Sequence, residues 1–311
     1  MGYDKSGETR AIVITILVLT SMLITFGLAI FADRLQPDHG DASSLERKSY
    51  DNVPPSVLSR GDSDIPEGKP LFNMSRPHIG DVPYGQAIFS CSKPGQIALT
   101  FDDGPFYWTN HVLDQLDGLN IKGTFFITGN SPVLSRRIDT NPEYAALIRR
   151  MRSRGHQIAS HTWSHKHLKD IGREGRYNEM VYNEMALRNV MTTPPTYMRP
   201  PYGEWRDPDS MQDLKALGYH VIMYNIDTRD YNCNTETDIE DSISLFKDAL
   251  REDGNGSYIV LAHDVREWTA KKLLPAMIHT MDLRGYHAVT VGECLGDSEF
   301  NWYRDPDDVE D

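Results

Sequence analysis

Two short clusters of potential metal ligands lie about sixty residues apart in this chain. The first is the pair Asp102 and Asp103, and the second is the pair His161 and His165. Two imidazoles and one carboxylate can hold a divalent ion and leave one position open for water. A second carboxylate is then free to act as a base on that water. Together the two clusters indicate a hydrolytic metal site.

The carboxylate pair must lie at the end of a strand. Adjacent residues within a strand point to opposite faces, so Asp102 and Asp103 can converge only where the strand stops. The apolar run at residues 96–101 supplies the strand, and Gly104 and Pro105 supply the turn. Taken alone, an Asp-Asp-Gly run is also typical of a surface turn or a helix N-cap. A His-x-x-x-His pair taken alone can be a coincidence, so the order and context of the clusters matter.

Five short motifs occur in order along the chain. They are TFDDGP at 100–105, HTWSH at 161–165, RPPYG at 199–203, DTRDY at 227–231 and IVLAHD at 259–264. In this order they resemble the carbohydrate esterase family 4 polysaccharide deacetylases, which carry the NodB homology domain. The chain is most similar to the fungal chitin deacetylases, and its segment TVGECLG at 290–296 also resembles their C-terminal end.

The resemblance implies a metal-binding set and a catalytic base. Asp103, His161 and His165 would bind the metal, and Asp102 would take the proton of the attacking water. Zinc is the expected ion, and cobalt, nickel or manganese are alternatives because a carboxylate ligand does not select for soft metals. Such a metal would lower the pKa of its water and polarise the acetamide carbonyl.

The same resemblance implies a general acid and its supporting residues. His263 would protonate the leaving amine, Asp230 would orient His263 and favour its charged form, and Arg199 would pair with Asp102. Taken singly, these three residues are also typical of a core histidine, a helix cap and a loop. The chain departs from the family pattern at Tyr231, where the family usually has Trp. Tyr keeps an aromatic side chain at this position, but a smaller one.

The substrate-binding residues implied by the family are Tyr202, Leu261 and Trp163. The backbone N–H of Tyr202 would hold the tetrahedral oxyanion, and Leu261 would line the pocket for the acetyl methyl group. Trp163 and Tyr202 are candidates for stacking on sugar rings, with burial in the core as the alternative.

Short apolar runs alternate with helical stretches between residues 97 and 291. Strand candidates are residues 97–101, 123–127, 157–160, 196–199, 220–224, 258–263 and 287–291. Helix candidates are residues 108–116, 144–154, 178–191, 209–217, 237–251 and 269–283. This alternation predicts an α/β fold with a parallel sheet, closed or doubly wound. The resemblance implies a distorted (β/α) barrel with about seven parallel strands, and four motifs end strand candidates, where barrel active sites form.

Residues 11–32 are uncharged and strongly apolar. At about 1.5 Å per residue they reach ~33 Å, enough to cross a bilayer core. We interpret them as a transmembrane signal anchor after a short tail at 1–10, although cleavage of a signal peptide is the alternative. The expected topology is a single-pass type II membrane protein with a lumenal or extracellular catalytic domain, or a secreted protein if the segment is cleaved.

The remaining boundaries follow from composition. Residues 33–88 are rich in proline and polar residues and are predicted to be a linker. The deacetylase domain is predicted at 89–296, followed by an acidic solvated tail at 297–311. Asn73 and Asn255 stand in N-glycosylation patterns. The three cysteines form no zinc pattern, and the resemblance implies a Cys91–Cys294 disulfide, with three free thiols as the alternative.

The net charge of −13 argues against a nucleic-acid partner. An acidic surface suits a neutral or cationic polymer, or simply keeps the protein soluble. We therefore expect a monomeric, metal-dependent enzyme that releases acetate from N-acetylglucosamine polymers, with chitin or chitooligosaccharide as substrate and the membrane as its other partner. The alternatives are an acetyl-xylan esterase, a peptidoglycan deacetylase, or a catalytically silent carbohydrate-binding member. The complete set of seven polar site residues argues against the silent member.

Overall fold

The computed structural model describes residues 65–68, 71, 74–131 and 137–305. The expected anchor at 11–32, the linker residues 33–64 and the acceptor Asn73 lie outside them. None of the helices in the described part is long and apolar enough to cross a membrane.

Short parallel strands form one sheet that curls into a half-barrel. They are β1 Ala87–Ile88, β2 Gln96–Asp102, β3 Thr124–Ile127, β4 Gln157–Ser160, β5 Tyr197–Met198, β6 His220–Ile222, β7 Ile226–Asp227, β8 Tyr258–His263 and β9 His287–Val289. Their order is β1-β6-β5-β4-β3-β2-β8-β7, and β9 pairs with the beginning of β2. In the described part β1 and β7 do not pair with each other, so the barrel is open on that side. The predicted parallel sheet is confirmed, and β1 and β7 are two strands that the sequence analysis did not predict.

Helices follow the strands and carry recognisable start signals. They are α1 Thr109–Gly118, α2 Pro142–Ser153, α3 Arg173–Met191, α4 Pro208–Ala216, α5 Ile239–Ala249, α6 Leu274–Leu283 and α7 Val291–Leu295, and a π-helical turn Thr269–Leu273 precedes α6. The Asn141 side chain caps α2 and Asp207 caps α4, each just before a proline in the first turn. Thr290 and Glu293 form a capping box on α7.

The central strand β2 is buried on both faces. Its side chains point alternately toward the surrounding helices and toward the inside of the half-barrel. Ile97, Leu99 and Phe101 pack with residues of the surrounding helices. Ala98 belongs to the cluster inside the half-barrel, and Thr100 bonds to the buried Arg199. Since side chains alternate along a strand, the inward row of β2 continues from Thr100 to Asp102.

The folded domain is longer than the sequence analysis predicted. Leu71, Met74 and Tyr84 are buried, and β1 joins the sheet beside β6. At the other end Trp302 is buried and Tyr303 forms a bridge with Pro195. The prediction of a linker up to residue 88 and a solvated tail from residue 297 is therefore wrong for residue 71 and for residues 74–88 and 297–305.

A buried ion cluster joins these two terminal segments to α3. The carboxylate of Glu184 accepts hydrogen bonds from Arg76 at 2.7 and 2.6 Å and from Arg304 at 3.0 Å. Burial alone would raise the pKa of Glu184, but the Arg76 guanidinium holds it below its usual value. Cys91 and Cys294 form the expected disulfide, and Cys233 is a buried free thiol.

Candidate active site

The two carboxylates converge at the end of β2, as the sequence predicts, since an oxygen of each lies near His161 Nε2, at 3.8 and 3.5 Å. Asp102 is the last residue of the strand and points inward. Asp103 lies in the left-handed region with φ of 73°. Its Oδ1 lies 3.5 Å from His161 Nε2 and 3.3 Å from His165 Nε2. Gly104 follows, where an added Cβ would lie 2.4 Å from an Asp264 carboxylate oxygen.

The two histidines follow β4 and present their Nε2 atoms to Asp103. His161 Nδ1 lies 2.8 Å from the Arg199 carbonyl oxygen, which can only accept, so Nδ1 carries the proton and Nε2 is left as a ligand. The backbone of His165 is left-handed, with φ of 57°. Burial lowers the pKa of each imidazole to about 4. Both rings are therefore neutral, which is the form that binds a metal.

The donor set of Asp103, His161 and His165 fits a divalent ion. One ligand atom from each lies within 4.8 Å of the others, and no second group of this kind occurs in the described part of the chain. In a tetrahedral site with ligand bonds of about 2.1 Å, ligand atoms stand about 3.4 Å apart. The Asp103 oxygen stands at nearly that distance from both nitrogens.

Asp102 is held by Arg199 and stands outside this donor set. Arg199 Nη1 donates to Asp102 Oδ1 at 2.7 Å and to Thr100 Oγ1 at 2.8 Å. The same guanidinium is fixed by the carbonyls of Ile222 and Met223, at 3.0 and 3.1 Å. Burial raises the pKa of Asp102 to about 6, against the opposing charge of Arg199. The carboxylate is ionised at neutral pH and is more basic than an exposed one.

His263 forms a second acid–base pair at the end of β8. Its Nδ1 lies 2.7 Å from Asp230 Oδ1, and Thr269 donates to Asp230 Oδ2 at 2.6 Å. Burial alone would lower the pKa of His263, but the Asp230 carboxylate outweighs it and raises the pKa to about 10. His263 is therefore protonated at neutral pH.

The three residues expected to bind substrate, Tyr202, Leu261 and Trp163, lie in three different parts of the fold. Tyr202 lies in the loop after β5 with φ of 59°. Leu261 is buried in β8, in register with Thr100. Trp163 is only 6% exposed and packs edge-on against Tyr182 in the core outside the sheet. Of its two alternatives, burial in the core is correct and stacking on a sugar is wrong.

Tyr231 forms an aromatic wall beside His263. Its ring meets the His263 ring edge-on, with centroids 5.6 Å apart. Its hydroxyl donates to Asp227 Oδ2 at 3.0 Å. The smaller aromatic side chain is thus anchored by its hydroxyl group.

Three further residues of the site did not emerge as site residues from the sequence. Asp264 is fully buried against Gly104 and accepts from Thr109 Oγ1 at 2.5 Å, and burial raises the pKa of its carboxyl to about 7. His167 and Glu204 contact each other beside Tyr202. The sequence around His167 and around Glu204 is polar, as is typical of a solvated loop. Only the folded structure shows that these two residues belong to the site.

Comparison with known proteins gives consistent matches. A polysaccharide deacetylase family model matches residues 90–222. A chitin deacetylase of Colletotrichum lindemuthianum is 43% identical over 215 residues, which is 69% of this chain and 85% of that protein. A chitin deacetylase of Pestalotiopsis sp. is 40% identical over 214 residues, covering 69% of this chain and 68% of that protein. The solved structure of the Colletotrichum lindemuthianum enzyme superposes with a TM-score of 0.69 at 42% identity, covering 72% of this chain and 97% of that one.

Proposed function

Since this chain belongs to the polysaccharide deacetylase family and is a polysaccharide de-N-acetylase, we propose that it removes N-acetyl groups from chitin in a metal-dependent reaction that releases acetate. One observation carries the assignment. Beside the donor set of Asp103, His161 and His165, the base candidate Asp102 is paired with Arg199 at 2.7 Å. The acid candidate His263 is paired with Asp230 at 2.7 Å, which raises the pKa of His263. At neutral pH the base is ionised while the acid is protonated, which is the pairing that amide hydrolysis needs.

The metal would be held by Asp103, His161 and His165, with zinc as our first choice. A divalent ion in this position polarises an acetamide carbonyl and lowers the pKa of water. The chain fixes the ligand geometry through the left-handed backbone of Asp103 and through the hydrogen bond from His161 to the Arg199 carbonyl.

Asp102 would take the proton of the attacking water. Arg199 occupies one of its oxygens at 2.7 Å, which keeps the carboxylate oriented and leaves the other oxygen on the side of His161. That oxygen lies 3.8 Å from His161 Nε2. This position, beside the candidate metal ligands but outside their set, supports Asp102 as the proton acceptor.

His263 would give a proton to the amine nitrogen as the C–N bond breaks. The bond from Nδ1 to Asp230 leaves Nε2 to carry the proton that is transferred. The backbone N–H of Tyr202 would donate to the oxyanion of the tetrahedral intermediate, and Leu261 would contact the acetyl methyl group.

The choice of chitin is supported by the relatives, which are described as chitin deacetylases. A panel of N-acetylglucosamine oligomers, peptidoglycan and acetylated xylan tests it by acetate release. We expect the oligomers to be the best substrates by kcat/KM. Preference for peptidoglycan or xylan would replace chitin with that polymer, and no acetate from any of them would identify a silent carbohydrate-binding member.

We also propose that the catalytic domain lies in an oxidising compartment, anchored by residues 11–32. The Cys91–Cys294 disulfide supports this, because disulfides persist mainly in secreted and lumenal proteins. The glycosylation acceptor Asn255 is exposed in the loop before β8, so a transferase could reach it.

A further inference from the structure

The loop that carries Tyr202 has an unfavourable backbone. Tyr202 has φ of 59° and ψ of 14°, and the next residue, Gly203, has φ of 63°. Glycine adopts this left-handed region freely, but in tyrosine the Cβ crowds the following carbonyl oxygen. Such a conformation persists only where the surrounding structure holds it.

Two histidine rings clamp the side chain of Tyr202. The His167 ring stacks on it, with centroids 3.6 Å apart and planes at 9°. The His165 ring meets it at 68°, with centroids 4.7 Å apart. Tyr202 is therefore in contact with a candidate metal ligand and with a histidine that has no place in the mechanism above.

Glu204 ties the stacking histidine to the same loop. His167 Nδ1 donates to Glu204 Oε1 over 2.7 Å. His167 comes two residues after His165 and Glu204 two residues after Tyr202, so this bond joins the loop after β4 to the loop after β5. Lys169 also reaches Glu204 Oε1 at 2.7 Å, but its side chain is 43% exposed and an exposed ion pair holds a loop only weakly.

Stability alone does not account for this contact. The Glu204 side chain is only 8% exposed, and its Oε2 is buried without a hydrogen-bond partner among the described residues. Leaving a carboxylate oxygen in this state costs free energy. An unfavourable backbone and an unsatisfied carboxylate beside a reaction centre point to a functional constraint.

We propose that His167 and Glu204 are positioning residues that hold Tyr202 in its left-handed conformation and so place its backbone N–H for the oxyanion. This inference rests on the proposed function, since it concerns the same tetrahedral intermediate. His167 acts through the Tyr202 ring, and Glu204 acts by fixing the plane of the His167 ring.

The test compares His167→Ala with His167→Phe, and uses Lys169→Ala as the matched control because it contacts the same carboxylate oxygen from solvent. The kcat and KM values are measured on chitin oligomers and on an activated aryl acetate, together with bound zinc. We expect His167→Ala to lower kcat by about 10²-fold, the size of effect that a misplaced catalytic group produces. KM and zinc content should change by less than about twofold. His167→Phe keeps a flat ring against Tyr202 but loses the hydrogen bond to Glu204, so it should recover kcat only in part, while Lys169→Ala should stay near wild type.

The two substrates separate this role from others. Both form an oxyanion, so His167→Ala should slow amide and ester hydrolysis by a similar factor. A rise in KM at constant kcat would make His167 a sugar contact, and lost zinc would make it only a support for His165. Equal defects in the Ala and Phe variants would also overturn the proposal. The aryl acetate assay does not depend on the natural polymer, so failure of the chitin assignment and failure of this inference are separate results.

Discussion

The Asp230 carboxylate is bonded to His263 through both of its oxygens. Oδ1 lies 2.7 Å from the imidazole Nδ1, and Oδ2 accepts the backbone N–H of His263, also at 2.7 Å. The ring is thereby fixed in orientation and charge, with its Nε2 facing the site. Asp230 follows β7 and His263 ends β8, far in sequence from the candidate metal ligands, and the first two predictions depend on this pair.

His263→Ala should strongly reduce amide hydrolysis and spare an activated aryl acetate. An unprotonated amide nitrogen is a very poor leaving group, whereas an aryl oxide depends little on proton transfer. The measurement is kcat/KM on both substrates, with zinc content as the control for an intact metal site. Equal losses on amide and ester would remove His263 from the role of general acid.

The Asp230→Asn variant should shift the basic limb of the pH–rate profile to lower pH. A general acid works only when protonated, so activity falls as the pH rises through its pKa. The pKa of His263 is about 10, which places this limb above neutrality in the wild type. Removing the carboxylate leaves burial to lower the pKa. As a control, Thr269→Val removes one hydrogen bond to Asp230 but keeps the Asp230 charge, so the basic limb should move less. A basic limb that does not move in Asp230→Asn would contradict the assignment of His263 as general acid.

We expect Asp102→Asn and Asp103→Asn to lose activity for different reasons. Asp102→Asn should keep bound metal and lose about 10²–10⁴-fold in kcat, the usual contribution of a general base. Asp103→Asn should lose the metal itself, because it removes the only carboxylate in the donor set. Elemental analysis of both purified variants checks this. Metal lost from the first variant and retained in the second would reverse the roles of the two carboxylates.

Glu184→Gln should destabilise the domain, because it leaves Arg76 and Arg304 buried without their counter-charge. Breaking a buried ion pair typically costs about 3–5 kcal/mol, measurable by urea unfolding. The folded-state pKa of Glu184 is lowered. Its contribution is therefore full above the unfolded-state pKa of about 4.3 and is lost as the pH falls below it.

Glu252→Gln is the matched control for this stability test. Its carboxylate also pairs with an arginine, Arg284, but is 83% exposed, so little change in unfolding is expected. If Glu184→Gln unfolds like this control, the segments around residues 76 and 304 are not integral parts of the domain.

Thiol labelling should distinguish the proposed compartment from a reducing one. In protein purified from its natural host without reductant, Cys91 and Cys294 should resist labelling until the disulfide is reduced. Cys233 should label only on unfolding, since it is buried. Immediate labelling of Cys91 and Cys294 would place the domain in a reducing compartment, and glycan on Asn255 would independently support the lumenal or extracellular side.

The sequence by itself determined the strand–helix order and the chemical character of the site. The alternation along β2 places Asp102 on the inward face, and the turn residues Gly104 and Pro105 require the strand to end there. The His161 and His165 spacing and the five ordered motifs identified the family. These features are local, because side-chain periodicity and turn chemistry depend on neighbouring residues.

Only the tertiary structure decided which side chains share the interior and where the domain ends. Asp103 has a positive φ, and no periodicity predicts that its carboxylate would approach both His161 and His165 after the strand has ended. The burial of Trp163 depends on its packing against α3. The contact of His167 with Glu204 joins residues 37 positions apart. The ion pairs of Glu184 join residues more than 100 positions apart. Such pairs depend on how the loops and terminal segments converge, and a polar or proline-rich composition conceals them.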